Sequence, residues 1–312
     1  MSSPTLSCRD FNAVTVSDGV LHKASRERER LRDEYEWYTR LPSDLADCTP
    51  QVYGWSDDGE RATMSMEFVP ALNLADLFVA DYEPSGWPRT LDELLELHDR
   101  MRAHAAAVSA ADAVAMYVGK TFSRLTQLAE ARRSWTMLLG RRSLWCNGVR
   151  LHGIELMRPA IELRARGLGR TLHGALVHGD LCLSNVLSYD GRLLTVDPRG
   201  RFGRRGTGGD PRYDIAKLRH SMVGGYDFIV ADRFALHGSG DAFDLALQRN
   251  AASETLTAGF DDAIGLHGYD PAEIQFIEAL LFLSMPPLHA DHPARQLAMY
   301  LTGLIRLNEV LR

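Results

Sequence analysis

Polar and apolar positions alternate with a period of two near the start of the chain and then switch to a period near 3.6. Ala13 to Val16 and Val20 to Lys23 read as short strands around the turn Asp18-Gly19. Gln51 to Trp55 and Ala62 to Val69 read as two more around Asp57-Asp58-Gly59. Between the pairs lies a charged helix, Arg26 to Leu41, in which Leu31, Tyr35, Tyr38 and Leu41 recur at helical spacing and which Pro42 ends. From Leu72 onward the pattern is helical: Leu91 to Val108, Lys120 to Leu139, Ile154 to Arg166, Ile215 to Val223, Ala242 to Phe260, Pro271 to Met285 and Pro293 to Leu311. No internal repeat or low-complexity linker divides it. The pattern predicts an α+β protein of two lobes: a small antiparallel-sheet lobe over 1–69 and a larger helical lobe over 70–312.

The helical pattern is broken where Leu176-Val177-His178-Gly179-Asp180-Leu181-Cys182-Leu183-Ser184-Asn185-Val186-Leu187 leads into Leu193-Leu194-Thr195-Val196-Asp197. Val186 to Tyr189 and Arg192 to Val196 read as strands joined by Asp190-Gly191, a strong turn dipeptide. Such a hairpin carries Asn185 and Asp197 to the same end. One carboxylate to align and deprotonate a hydroxyl, with an amide and a second carboxylate to hold a metal, is the polar set that phosphoryl transfer requires. Asp180 is the candidate base, and Asn185 and Asp197 are the candidate ligands of Mg2+, which takes oxygen donors and keeps waters and phosphates around it.

These residues resemble the signature of the aminoglycoside phosphotransferase and choline kinase-like group, small-molecule kinases with a protein-kinase-like fold. That signature is His-Gly-Asp, four residues, Asn, and then an Ile-Asp or Val-Asp strand end. Gly209-Asp210-Pro211-Arg212-Tyr213-Asp214-Ile215-Ala216 resembles a second stretch of the same group. The resemblance implies an ATP- or GTP-dependent kinase with Asp180 as base and Mg2+ on Asn185 and Asp197. It implies scaffold roles for His178, packed under the catalytic loop, and for Asp214, bonding that loop's backbone from a helix start. Lys23 stands where the group places the lysine that contacts the α- and β-phosphates. Its ion-pair partner comes from Glu27, Glu29, Glu34 or Glu36, and the group's pattern selects Glu34. Met64 to Pro70 is the expected hinge, where the base meets backbone groups of Glu67, Phe68 and Val69. Asp197 is followed by Pro198-Arg199-Gly200, so the turn there lacks a backbone donor.

Composition narrows the partners. The chain has 312 residues, 45% hydrophobic, and a net charge of −6, which does not suggest nucleic-acid binding. Four scattered cysteines, Cys8, Cys48, Cys146 and Cys182, read as reduced thiols of a cytoplasmic protein rather than a disulfide framework or zinc site. No leader-like start and no run of about 18 apolar residues predicts membrane insertion. Oligomeric state is left open. Of 35 basic residues only Lys23, Lys120 and Lys217 are lysines.

No Gly-x-Gly-x-x-Gly precedes Lys23; Ser7 to Asn12 takes the place of the phosphate loop. Gly119-Lys120-Thr121 lacks the earlier glycine of a phosphate loop and reads as a surface turn. Two charge signals bear on the acceptor. From Arg192 to Arg219 there are eight Lys/Arg against three Asp, including Arg199, Arg201, Arg204 and Arg205 in a Gly-rich stretch that suits the γ-phosphate or an anionic substrate. From Tyr226 to His292 there are eleven Asp/Glu against two Arg, which suits amino sugars or choline-like amines. The expected activity is phosphorylation of a hydroxyl on a sugar, amino sugar, nucleoside or antibiotic-like natural product. The alternative is a nucleotide-binding regulatory pseudokinase, suggested by the short phosphate loop.

Overall fold

Four strands open the described part of the chain: β1 (Asn12–Ser17), β2 (Val20–Ser25), β3 (Val52–Asp57) and β4 (Ala62–Glu67), in the antiparallel order β1-β2-β4-β3. A computed structural model describes residues 12–312, so Ser7 to Phe11, where the phosphate loop is expected, lie outside the described residues. Asp18 and Gly19 both take positive φ (50° and 76°), as a tight hairpin turn demands. The inner face of β4, with Ala62, Met64 and Met66 buried, packs in one core with Leu31, Trp37 and Tyr38 of the helix α1 (Arg28–Thr39).

The helical lobe begins with α2 (Leu74–Val79), α3 (Trp87–Arg102), α4 (Ala110–Val114), a single π turn and α5 (Lys120–Ala131). Gly119-Lys120-Thr121 is therefore no surface turn but the passage from the π turn into α5, with Thr121 buried and Lys120 half-buried. Next come α6 (Arg133–Leu139), β5 (Ser143–Cys146), β6 (Val149–His152), α7 (Ile154–Arg170), β7 (Ala175–Leu176), the hairpin β8 (Val186–Tyr189) and β9 (Arg192–Thr195), and three two-residue strands, β10 (Arg201–Phe202), β11 (Arg204–Arg205) and β12 (Gly208–Gly209). The chain closes with α8 (Pro211–Met222), α9 (Tyr226–Val230), β13 (Phe234–Ser239), β14 (Ala242–Leu247), α10 (Ala251–Leu266), α11 (Pro271–Ser284) and α12 (Pro293–Val310). The core of the lobe is α11, buried along most of its length and packed between α8, α5 and α12.

Ala242 to Phe260 is not one helix. Its first third is β14, where Phe243 and Leu245 are buried in alternation with exposed Asp244 and Ala246. β14 pairs antiparallel with β13 and parallel with β5, forming a second sheet ordered β13-β14-β5-β6. Alanine and leucine favour helix, but tertiary pairing overrides that preference here. Helix α10 starts only after Asn250, whose side chain and that of Ser253 cap each other's backbone N–H groups. The turn of the β5–β6 hairpin is Asn147-Gly148, both at positive φ. Asn147 also stitches the sheet, accepting from Leu245 N at 2.7 Å and donating to Leu245 O at 2.9 Å. Among the described residues no helix is long and apolar enough to cross a membrane.

Candidate active site

The loop 177–185 is held from three sides. Trp37 of α1 donates from its indole to Val177 O at 2.8 Å. Asp214, fully buried in the first turn of α8, accepts the N–H of His178 at 2.7 Å and of Gly179 at 2.9 Å. His178, also fully buried, donates from Nε2 to Val196 O at 3.0 Å and accepts the N–H of Asp180 at Nδ1. Burial pushes His178 down to about 4, so it is neutral, and both ring nitrogens are spent on backbone. Gly179 has φ of +77°, and a Cβ there would come within 2.9 Å of the Arg199 side chain. Only glycine permits that approach.

The β8–β9 hairpin brings Asn185 and Asp197 to one end, with Val196 N bonded to Asn185 O at 2.9 Å. Asn185 donates its Nδ2 to Asp180 O at 2.9 Å, which leaves Oδ1 as the side chain's acceptor. Asp197 sits at φ +58°, its N–H donating to Tyr38 Oη at 3.2 Å and its side chain 57% exposed. One amide oxygen and one carboxylate at an open mouth fit Mg2+, which needs few protein ligands when phosphates supply the others. Among the described residues no group of three or more His, Cys, Asp or Glu side chains could hold a metal by itself.

Lys23 lies between this end of the hairpin and α1. Its Nζ is 2.9 and 2.8 Å from the two Glu34 oxygens and 2.8 Å from Asp197 Oδ1. Burial works against the charge, but Glu34 and Asp197 together hold the Lys23 pKa well above its ordinary value. Of the four glutamates on this helix, Glu34 alone reaches Lys23. Glu27 pairs with Arg30, Glu29 with Arg205, and Glu36 with Arg32 and Arg40. Glu34, Trp37 and Tyr38 form a buried stripe at helical spacing, and each touches the site. The hinge is partly committed. The N–H groups of Glu67 and Phe68 donate to Gln51 O and Gly19 O at 2.7 and 3.0 Å, while Val69 uses its carbonyl to accept from Ala71 N.

Asp180 is held by two cations. Lys217 Nζ is 2.7 Å from Oδ1, and Arg199 is 3.5 Å from Oδ2. Burial alone would raise the Asp180 pKa; Lys217 and then Arg199 outweigh it and hold the carboxyl well below the usual carboxylate range. Lys217 was visible in the sequence only as one of three lysines. The overlooked signal is its spacing: it follows Asp214 by three residues and Tyr213 by four, so the face of α8 that secures the loop also carries Lys217.

Neither charge signal survives as read. The Gly-rich basic stretch is pinned to the scaffold. Arg201 pairs with Asp33 of α1, Arg205 with Asp33 and Glu29, and Arg204 donates to Ala107 O at 2.7 Å, beside Asp112. Only Arg199 turns to the base. Several of the acids after Tyr226 are also engaged. Asp261 and the fully buried Glu278 hold Arg219, Glu273 holds Arg212, and Asp232 holds Arg295. Asp270 caps α11.

No protein-family model and no curated protein matches the chain. Solved structures do. A thermostable mutant of aminoglycoside phosphotransferase APH(4)-Ia, in its apo form, superposes with a TM-score of 0.58 at 14% identity, covering 100% of this chain and 94% of that one. A gentamicin complex of APH(2")-IIa gives 0.52 at 14%, over 98% and 90% of the two chains. An ethanolamine kinase of Plasmodium vivax gives 0.54 at 11%, over 99% and 81%. The chain has the two-lobed kinase-like fold of the aminoglycoside phosphotransferases and of this ethanolamine kinase.

Proposed function

We propose that this protein is a magnesium-dependent phosphotransferase that carries the γ-phosphoryl group of ATP or GTP to a hydroxyl of a small molecule, with Asp180 as catalytic base. The observation that carries this reading is the coupling of base and metal ligand: the amide of Asn185 is bonded to the backbone carbonyl of Asp180, and Asp197 faces the same mouth. Structures of the same fold support it. One was crystallised as a ternary complex with AMP-PNP and hygromycin B, and another with gentamicin.

In this mechanism the ionised Asp180 accepts a hydrogen bond from the acceptor hydroxyl and aligns its oxygen on the γ-phosphorus. As the new P–O bond forms, the bond to the bridging oxygen breaks and the nucleoside diphosphate leaves. In a loose transition state the hydroxyl proton departs late, so a weakly basic carboxylate suffices to receive it and pass it to solvent. Mg2+, with Asn185 and Asp197 as its protein ligands, would neutralise charge on the phosphates. Lys23, fixed by Glu34, adds a positive charge beside Asp197. Val69 N–H, which donates to no backbone group among the described residues, would meet the base. Cys48, Cys146 and Cys182 are unpaired and buried, which supports a reducing, cytoplasmic setting.

The test is a thermal-shift titration of ATP and of GTP with magnesium on the wild type and on Asp197→Ala. Metal-dependent stabilisation in the wild type and not in the variant supports the site and names the donor. Equal shifts with and without magnesium in both proteins overturn it.

A further inference from the structure

Four cations crowd the proposed base. Lys217 and Arg199 contact Asp180 directly, at 2.7 and 3.5 Å. Lys120 and Arg124 lie one turn apart on α5. Lys120 donates to Tyr213 Oη at 2.8 Å, its Nζ 4.7 Å from the centre of that ring. Tyr213 and Lys217 are likewise one turn apart on α8 and share a face. The two helices thus gather Lys120, Arg124 and Lys217 on the helical-lobe side of the base, whereas the Lys23–Asp197 pair is reached from the sheet.

These charges are unmatched. Among the described residues neither Lys120 nor Arg124 has a carboxylate partner: Lys120 meets a phenol, and Arg124 donates to Ser284 O at 3.0 Å and lies 3.4 Å from Ser284 Oγ. Other buried cations of the lobe are balanced, Arg212 by Asp210 and Glu273, and Arg219 by Asp261 and Glu278. Asp180 pairs with Lys217 and Arg199, buried Asp227 lies near Lys217 without pairing with it, and no carboxylate among the described residues pairs with Lys120 or Arg124. Asp214 comes near, but both its oxygens are taken by the loop backbone. Burial, with Arg199, Arg124 and Lys217 close by, pushes Lys120 well below the ordinary lysine range. Half-buried cations without counter-charge are costly, and such a cluster is what an anion-binding site looks like before its ligand arrives.

Given the kinase reading, on which this rests, we infer that the acceptor is an anionic hydroxylated small molecule, one already carrying a phosphate or carboxylate. Lys120 and Arg124 bind that group while a hydroxyl of the same molecule meets Asp180. A polycationic amino sugar finds no carboxylate cluster beside Lys120 and Arg124, and several of the acids that suited it are engaged in ion pairs elsewhere.

Calorimetric titrations test this on the full chain, with and without saturating magnesium AMP-PNP. The probes are glycerol 3-phosphate, glucose 6-phosphate and gluconate beside glycerol, glucose and glucosamine. The expected result is at least tenfold tighter binding of an anionic probe than of its neutral counterpart. Lys120→Gln and Arg124→Gln should each lose at least tenfold of it while AMP-PNP affinity changes less than twofold, and Lys120→Arg should retain it. Equal binding of charged and neutral probes, preference for glucosamine, no binding of any anionic probe, or a loss that falls on AMP-PNP instead each overturns the inference. Failure of AMP-PNP to bind at all counts against the kinase reading, and the titrations without nucleotide still decide this one. If neither glutamine variant folds, the charge preference of the wild type decides alone.

Discussion

Lys217 Nζ lies 2.7 Å from Asp180 Oδ1, and the lysine is 4% exposed. A helix of the large lobe therefore sets the charge of a loop residue that the sequence places 37 positions earlier. Because Lys217 and Arg199 depress the Asp180 pKa, the base form persists as pH falls. The wild-type kcat should show no acidic limb from this residue above the ordinary carboxylate pKa of about 3.9. In Lys217→Met the buried carboxylate keeps Arg199 as its one direct partner, its pKa rises, and the base form is lost as pH falls through the raised value. A kcat–pH profile should then show a new acidic limb, with a smaller displacement for Arg199→Met. Superimposable profiles would separate Lys217 from the charge state of the base.

Asp180→Asn removes the proton acceptor and leaves the shape. Turnover should fall by about 10²–10⁴-fold, the usual contribution of a general base. AMP-PNP affinity should change little, since the side chain of Asp180 contacts Lys217 and Arg199 rather than Lys23 or Asp197. Single-turnover kinetics beside a binding titration separate the two. Near-normal turnover would remove Asp180 from the role of base.

Lys23 and Glu34 are both buried, so each depends on the other for its charge. Lys23→Met strands the Glu34 carboxylate and should destabilise by about 3–5 kcal/mol. The double variant Lys23→Met, Glu34→Met should recover much of that stability but none of the activity. Denaturant melts and turnover on the three proteins check this. Recovery of activity in the double variant would show the pair to be structural only.

His98 and His178 are buried and both pushed down to about 4 by burial. The unfolded chain titrates them at about 6.5. Their folded pKa values are depressed, so the unfolded state binds more protons between those limits. Stability is intact above the unfolded value and is lost as pH falls toward the folded one. The slope should be roughly 1.4 kcal/mol per pH unit for each histidine. His98→Gln should make the pH dependence of stability shallower in that window, and an unchanged slope would count against the buried neutral state.

Local pattern made much of this legible. The loop motif, the Asp190-Gly191 hairpin and the helix spacing of Leu31, Tyr35, Tyr38 and Leu41 depend on contacts within a few residues, and the structure brings Asp180, Asn185, Asp197, Lys23 and Glu34 together. Charge counting failed for a physical reason. A run of arginines or acids has no direction until the fold supplies partners, and here Asp33 claims Arg201 and Arg205 while Arg219 claims Asp261 and Glu278. The second sheet was hidden because the β14 strand is rich in Ala and Leu and is held not only by its hairpin partner β13 but by β5, far away in sequence.

Gly200 couples the loop after Asp197 to α1. It has φ of +58°, and a Cβ there would lie 2.0 Å from Asp33 O, a backbone atom that cannot swing aside. Gly191, in the β8–β9 turn, has φ of +70° and open space around it. Gly191→Ala should therefore cost only the left-handed penalty, about 1–2 kcal/mol. Gly200→Ala adds overpacking of about 1–3 kcal/mol. It should also lower kcat, because relief of the clash moves Arg199, the neighbour that faces Asp180. Urea melts of the two variants and their turnover numbers isolate the packing contribution. If Gly200→Ala is no worse than Gly191→Ala on both counts, the docking of this loop on α1 does not position Arg199, and the arginine must be held by Asp180 alone.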